Sequence, residues 1–173
     1  MKLFIPLSHG QSIPTSVLRS IAAQDVDIVP CCKEGVFNSN HDSIDADERM
    51  CKLLGELHSR NLAVSFYNRH YADEKYVAMQ DRDIVHLFED NYKRCIYFLD
   101  QNGDYDAVAL PWKDYTVTDH IRNAAFVIRG NVFGKMYFRI DERKHICLTM
   151  QEDIKICFLP SNKKLIQEEV RDG

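Results

Sequence analysis

The amino-acid sequence predicts an α/β fold, a central and mostly parallel sheet flanked by helices, in one domain over residues 1–173. Three observations carry that expectation. Strand and helix signals alternate through the first 110 residues, the pattern of successive crossover units. The run Val26–Cys32 is apolar and β-branched at Val26, Ile28 and Val29, as in a strand covered on both faces. A chain of 173 residues is of ordinary single-domain size and buries roughly 70% of its unfolded surface, so it needs no disulfide or metal staple.

Each element follows from its residues. Lys2–Leu7 is an apolar strand closed by the loop Ser8-His9-Gly10-Gln11-Ser12. Pro14 and Thr15 open a helix to about Gln24, with Val17, Leu18, Ile21 and Ala22 at helical spacing. Val26–Cys32 is the second strand and Lys33–Asp45 a polar loop. A helix is expected from Ala46 to about Tyr67, with Met50, Leu53, Leu54, Leu57 and Leu62 on one stripe. Lys75–Gln80 is a short strand running into Asp81-Arg82-Asp83. Leu87–Asn102 reads as a helix with Tyr92, Cys95, Ile96 and Leu99 inward, stopped by Asn102-Gly103. Ala107–Pro111 and Ala124–Arg129 are strands, Val132-Phe133 a turn or short helix, and Asn162–Val170 a final helix.

Composition excludes several classes. With 45% hydrophobic and 28% charged residues the chain is neither collagen-like nor disordered. No stretch reaches the ~18 apolar residues that span a bilayer. The opening MKLFIPLSHG has an apolar run shorter than the ~7–15 residues of a secretory core, so a cytoplasmic protein is expected. A net charge of −4 argues against a general nucleic-acid binder, whose phosphate contacts need a basic face. The six cysteines, at 31, 32, 51, 95, 147 and 157, form no C-x-x-C, so reduced thiols are expected.

The strongest local signal is Asp81-Arg82-Asp83, two carboxylates at i and i+2 just past a buried strand. Ligands in open α/β sheets gather at that end of the strands. Aspartates are short hard-oxygen donors suited to Mg²⁺ or Mn²⁺, ions that combine one or two carboxylates with substrate phosphates. Arg82 between them offsets their repulsion or meets a phosphate. A D-x-D tripeptide also arises by chance in solvated turns. Isolated histidines such as His9, His86 and His145 are more often surface or satisfied core residues than ligands. Trp112 and Arg129 read as packing residues, and Lys163-Lys164 as a solvated face.

Further segments stand in a recognisable order around this one. Ser59-Arg60-Asn61-Leu62-Ala63-Val64 precedes it. Ala125-Phe126-Val127-Ile128-Arg129-Gly130-Asn131-Val132-Phe133, Phe138-Arg139-Ile140-Asp141-Glu142-Arg143 and Gln151-Glu152-Asp153-Ile154 follow it. In this order, over residues 1–158, the chain resembles the family 2 glycosyltransferases, which carry the nucleotide-sugar-binding GT-A fold. The resemblance implies that Asp81 and Asp83 hold a divalent cation, Mn²⁺ or Mg²⁺, on the diphosphate of a nucleotide-sugar. It implies that Pro6, Leu7 and Ser8 face the nucleotide, with Arg60 near the diphosphate and Asn61 fixing the helix there. It assigns Asp153, with Glu152 beside it, as the general base that takes a proton from an unidentified acceptor during inverting transfer.

The pattern also departs from the family. Strand two ends Val29-Pro30-Cys31-Cys32-Lys33 where the family carries acidic residues, leaving Glu34 or Asp42 for that contact. Two other functions stay open: a non-catalytic nucleotide- or partner-binding protein that keeps the fold, and a nucleotidyltransferase.

Overall fold

The computed structural model describes residues 1–8, 10–32, 48–111, 124–140, 146–149, 154–159 and 165–167. A six-stranded sheet forms the centre, in the order β2-β1-β3-β6-β5-β9. Its strands are β1 (Lys2–Pro6), β2 (Asp27–Cys31), β3 (Tyr76–Met79), β5 (Ala107–Pro111), β6 (Ala124–Arg129) and β9 (Ile156–Phe158). β1 pairs in parallel with β2 and β3, and β5 with β9, while β6 runs antiparallel between β3 and β5. The expected α/β architecture with a mostly parallel sheet is therefore present. Two small pairs complete it: β7 (Tyr137–Ile140) with β8 (Ile146–Thr149), and β4 (Ile84–His86) with β10 (Leu165–Gln167).

Helices cover both faces of the sheet because its strands are apolar on both. Alternate residues divide between two cores. Phe4, Val77, Met79, Ala107, Ala109, Phe126 and Ile128 meet Ala63, Val64 and Tyr67 of α2 (Glu48–His70), Phe133 of α4 (Gly130–Phe133) and Phe138 of β7. Leu3, Ile5, Ala78, Val108, Leu110, Ala125 and Val127 meet Val17 and Ile21 of α1 (Thr15–Ala22) and Tyr92, Cys95 and Leu99 of α3 (Asn91–Gln101). The crossover through α1 carries the chain from β1 to β2, and the crossover through α2, on the opposite face, carries it back past β1 to β3. Strand order thus reverses at β1. That reversal puts the usual ligand position of such sheets beyond the carboxyl ends of β1 and β3.

Several expectations need correction. β2 was expected to be buried, but only Cys31 of its residues is, because β2 is the edge strand. Helix α2 extends to His70, and its buried stripe is Ser59, Arg60, Ala63, Val64 and Tyr67, while Leu54, Leu57 and Leu62 are half-buried. Helix α3 starts at Asn91 instead of Leu87, since Ile84–His86 forms β4 and Leu87 and Phe88 lie exposed before the helix. The helix expected over Asn162–Val170 gives way at its centre to β10, whose backbone pairs with β4. Pairing with a partner strand overrides the local helical preference there. Among the described residues no helix is long and apolar enough to cross a membrane.

Candidate functional site

Two loops meet beyond the carboxyl ends of β1 and β3. After β1, the Leu7 amide donates to Cys31 O at 2.8 Å and Ser59 Oγ on α2 donates to Leu7 O at 2.5 Å. The Ser8 amide donates to Gln11 Oε1 at 2.8 Å and the Gln11 amide to Ser8 O at 3.0 Å, folding the chain into a compact turn. Pro6, Leu7 and Ser8 are all buried. After β3, Asp81-Arg82-Asp83 forms a turn closed by the Ile84 amide on Asp81 O at 3.3 Å. Arg82 Nη1 donates to Ser12 O at 2.8 Å, tying the two loops together. Arg82 thus serves as a brace between the loops.

Arg60 reaches this turn from α2. It is 2% exposed, and its Nη2 donates both to Asp81 Oδ1 and to Glu56 Oε1, the latter at 2.9 Å. Nε also faces Glu56 Oε1 at 3.3 Å, Nη1 faces Met79 Sδ at 3.3 Å, and the guanidinium lies over the Phe138 ring at 5.5 Å. Burial acts to lower the Arg60 pKa, but Glu56 and Asp81 outweigh it and raise the value, so Arg60 stays charged. The structure brings Arg60 and Asp81 together, 21 residues apart in sequence. The neighbouring Asn61 grips the same strand: its Nδ2 donates to Phe138 O at 3.1 Å and its Oδ1 accepts from the Phe138 amide at 2.8 Å. These two bonds dock the β7–β8 hairpin on α2.

Beneath the acidic turn lies a buried polar network whose function the sequence does not reveal. Gln80 is fully buried, and its Oε1 accepts from Tyr92 OH at 2.6 Å and from His86 Nε2 at 2.7 Å. Its Nε2 donates to Ile84 O at 3.0 Å and Asp81 O at 3.4 Å, so one side chain staples both ends of the turn. His86 Nδ1 accepts from Asn91 Nδ2 at 3.1 Å, which assigns the proton to Nε2. Burial lowers the His86 pKa to about 4, and the ring is neutral at pH 7. Gln24 extends the network, accepting from the Tyr92 amide at 3.2 Å and donating to Phe88 O at 2.6 Å. A glutamine at a strand end looks in sequence like an ordinary polar boundary. Only the folded partners reveal its function.

The other residues singled out in the sequence fall elsewhere. Arg129 donates from Nη2 to Leu99 O at 2.8 Å and Asn102 O at 3.2 Å and from Nε to Tyr105 O at 2.9 Å, closing the end of α3. Cys31, at the carboxyl end of β2, is buried, which pushes its thiol pKa up to about 12. Such a thiol is inert. Glu152 and Asp153, with His9, Glu34, Asp42, Trp112, His145, Lys163 and Lys164, lie outside the described residues. The chain nearest Asp153 that is described enters β9 with Ile156 opposite Ala107, at the sheet edge away from Asp81. The Lys155 amide there donates to Asp106 Oδ2 at 2.8 Å.

Asp81 and Asp83 offer two hard-oxygen carboxylates on a single turn. Among the described residues no group of three or more His, Cys, Asp or Glu side chains is placed to hold a metal ion. Asp81 already pairs with Arg60 through Oδ1, so among the described residues this turn is not a formed metal centre.

No family model and no curated protein matches the sequence. Solved structures do resemble it. A mutant of β-1,4-galactosyltransferase 7 from Drosophila, crystallised with manganese, UDP-Gal and xylobiose, is similar with a TM-score of 0.51 and 11% identity, over 98% of this chain and 71% of that one. Protein A197 from STIV is similar with a TM-score of 0.46 and 13% identity, over 98% of this chain and 95% of that one. At 11% identity the likeness to the galactosyltransferase is one of fold.

Proposed function

We propose that the chain binds a nucleoside-diphosphate sugar together with Mn²⁺ or Mg²⁺ in the crevice between β1 and β3, and transfers the sugar to an acceptor. The observation that carries this reading is the Asp81-Arg82-Asp83 turn at the point where strand order reverses, braced to the loop after β1 through Arg82 and Ser12. The galactosyltransferase-like fold agrees with it.

In this reading Asp83 and Asp81 hold the ion, while the chain at Pro6, Leu7 and Ser8 lines the nucleotide side. Arg60 orients Asp81 instead of facing the solvent side of the crevice, since it is almost wholly buried. When bound, the ion neutralises the charge that develops on the leaving diphosphate. Asp153, with Glu152 beside it, is the proposed base for the acceptor hydroxyl, on the resemblance alone. A second reading, a binding protein without transferase chemistry, draws support from the entry of Ile154 and Lys155 at the opposite edge of the sheet.

A thermal-shift panel of UDP, GDP and CDP with and without Mn²⁺ tests the first reading, because a ligand that binds only the folded state raises the melting point. A Mn²⁺-dependent shift with one nucleotide is expected in the parent and lost in Asp81→Asn and Asp83→Asn. A shift that both variants retain contradicts the site. Asp153→Asn then separates the two readings. A transferase loses about 10²–10⁴-fold in rate with donor binding intact, whereas a binding protein shows no transfer to lose.

A further inference from the structure

Arg82 stands between two aspartates in sequence, yet among the described residues it pairs with neither. Its Nη1 reaches Ser12 O at 2.8 Å instead, a partner 70 residues away. The charge of Asp81 is answered from the interior by Arg60, whose Nη2 holds Asp81 Oδ1. The acidic turn therefore does not consume the charge of Arg82.

A guanidinium is a planar fork of N–H donors with no acceptor, so it selects oxyanions over sugar hydroxyls, which also donate. Only Nη1 is engaged here. Among the described residues Nε and Nη2 have no protein acceptor, and Arg82 is half-buried, so that edge meets water or a ligand. The bond to Ser12 pins the side chain between the loop after β1 and the turn after β3, where strand order reverses and ligands gather. An arginine held at one nitrogen loses less freedom when it grips an anion with the others. Its free edge matches two oxygens of one phosphoryl group.

We infer that Arg82 is a phosphate-contact residue, gripping a phosphoryl group of the ligand through Nε and Nη2 while Nη1 stays on Ser12 O. This rests on reading this end of the sheet as the nucleotide site. The contact itself needs no metal ion and takes no donor from Asp81 or Asp83. Because one guanidinium serves both bonds, a phosphate held there also fastens the two loops to each other.

Isothermal titration calorimetry on the intact chain tests it, with inorganic diphosphate in EDTA and with UDP and GDP in Mn²⁺. The parent should bind inorganic diphosphate in EDTA. Arg82→Gln should bind it, and the nucleotide, about tenfold to a hundredfold more weakly, the worth of hydrogen bonds to a charged group. Arg82→Lys keeps the charge without the fork and should recover only part of the loss. The bond to Ser12 is exposed, so both variants should melt close to the parent. Added salt should weaken diphosphate binding in the parent and do so less in Arg82→Gln, a difference that a merely structural brace would not produce. A parent that binds no diphosphate in EDTA, or an Arg82→Gln protein that binds it equally well, overturns the inference; the nucleotide reading then stands or falls on its own Mn²⁺-dependent thermal shift. If diphosphate binding depends on Arg82 while neither UDP nor GDP binds the parent, the phosphate contact stands and the nucleotide reading falls.

Discussion

Replacing Gln80 with methionine should be among the most damaging single changes near the acidic turn. Methionine matches glutamine in length and fills the same space, so little cavity is created. It removes the acceptor of two donors, Tyr92 OH and His86 Nε2, and the donor to Ile84 O, all in a place closed to water. Each buried polar group left without a partner costs about 1–3 kcal/mol, and because the three share one network their combined cost is about 3–5 kcal/mol. For a chain of this size that lowers the melting temperature by about 6–20 °C. Tyr92→Phe is the calibrating control. It deletes one hydroxyl, leaves His86 on Gln80 Oε1, keeps the ring contact with His86 at a centroid distance of 4.7 Å, and should cost only about 1 kcal/mol. Urea denaturation of the three proteins, read by circular dichroism, provides the comparison. A Gln80→Met protein no less stable than Tyr92→Phe refutes the argument that Gln80 is the hub of the network.

The same network predicts a pH dependence. The His86 pKa is lowered to about 4 in the folded state, so below its unfolded value of about 6.5 the unfolded chain binds the extra proton. The stability owed to neutral His86 is whole above pH 6.5 and falls as pH drops toward 4, with about 2 kcal/mol lost between pH 7 and pH 5. His86→Gln should flatten the parent's stability difference between those two pH values by that amount, and an unchanged difference contradicts it. Gly130→Ala would place a Cβ 2.2 Å from Glu74 O and 2.3 Å from the Tyr67 hydroxyl. Because the first obstacle is backbone, held where Lys75 O accepts the Gly130 amide at 2.8 Å, equilibrium denaturation should show a loss of about 3 kcal/mol. Asn61→Leu removes both bonds to Phe138 and should cost about 2–4 kcal/mol, with the Phe138 amide exchanging its hydrogen much faster than in the parent. Equal exchange protection would mean that the β7–β8 hairpin is held by its apolar contacts alone.

What the sequence reveals follows from where each element's partners lie. β1, β3, β5 and β6 are covered on both faces, so they are apolar at nearly every position and stand out as short runs. β2 looks similar in sequence, yet its place at the sheet edge leaves Asp27 and Pro30 exposed, and edge position depends on strand order, not composition. β4 and β10 are three residues each and exist through one another, so neither carries a signal alone. The buried stripe on α2 differs from the leucine stripe of the sequence for a related reason. The face it turns inward includes Ser59 and Arg60, whose partners are Leu7 O and Asp81, so polarity at those positions hid their burial. Asp81 and Asp83 stand out in the sequence because D-x-D after a strand is a local pattern. The partners that fix the turn, Gln80 from below, Arg60 from α2 and Ser12 across the crevice, come together only in the fold.

The most direct measurement is anomalous diffraction at the manganese edge from crystals soaked with Mn²⁺ and the nucleotide diphosphate that gives the largest thermal shift. The account predicts one anomalous peak about 2.0–2.2 Å from carboxylate oxygens of Asp83 and Asp81, with the diphosphate bridging it to the loop after β1. A manganese ion and nucleotide found at the opposite edge of the sheet, or a nucleotide bound with no ion at Asp81 and Asp83, would contradict it.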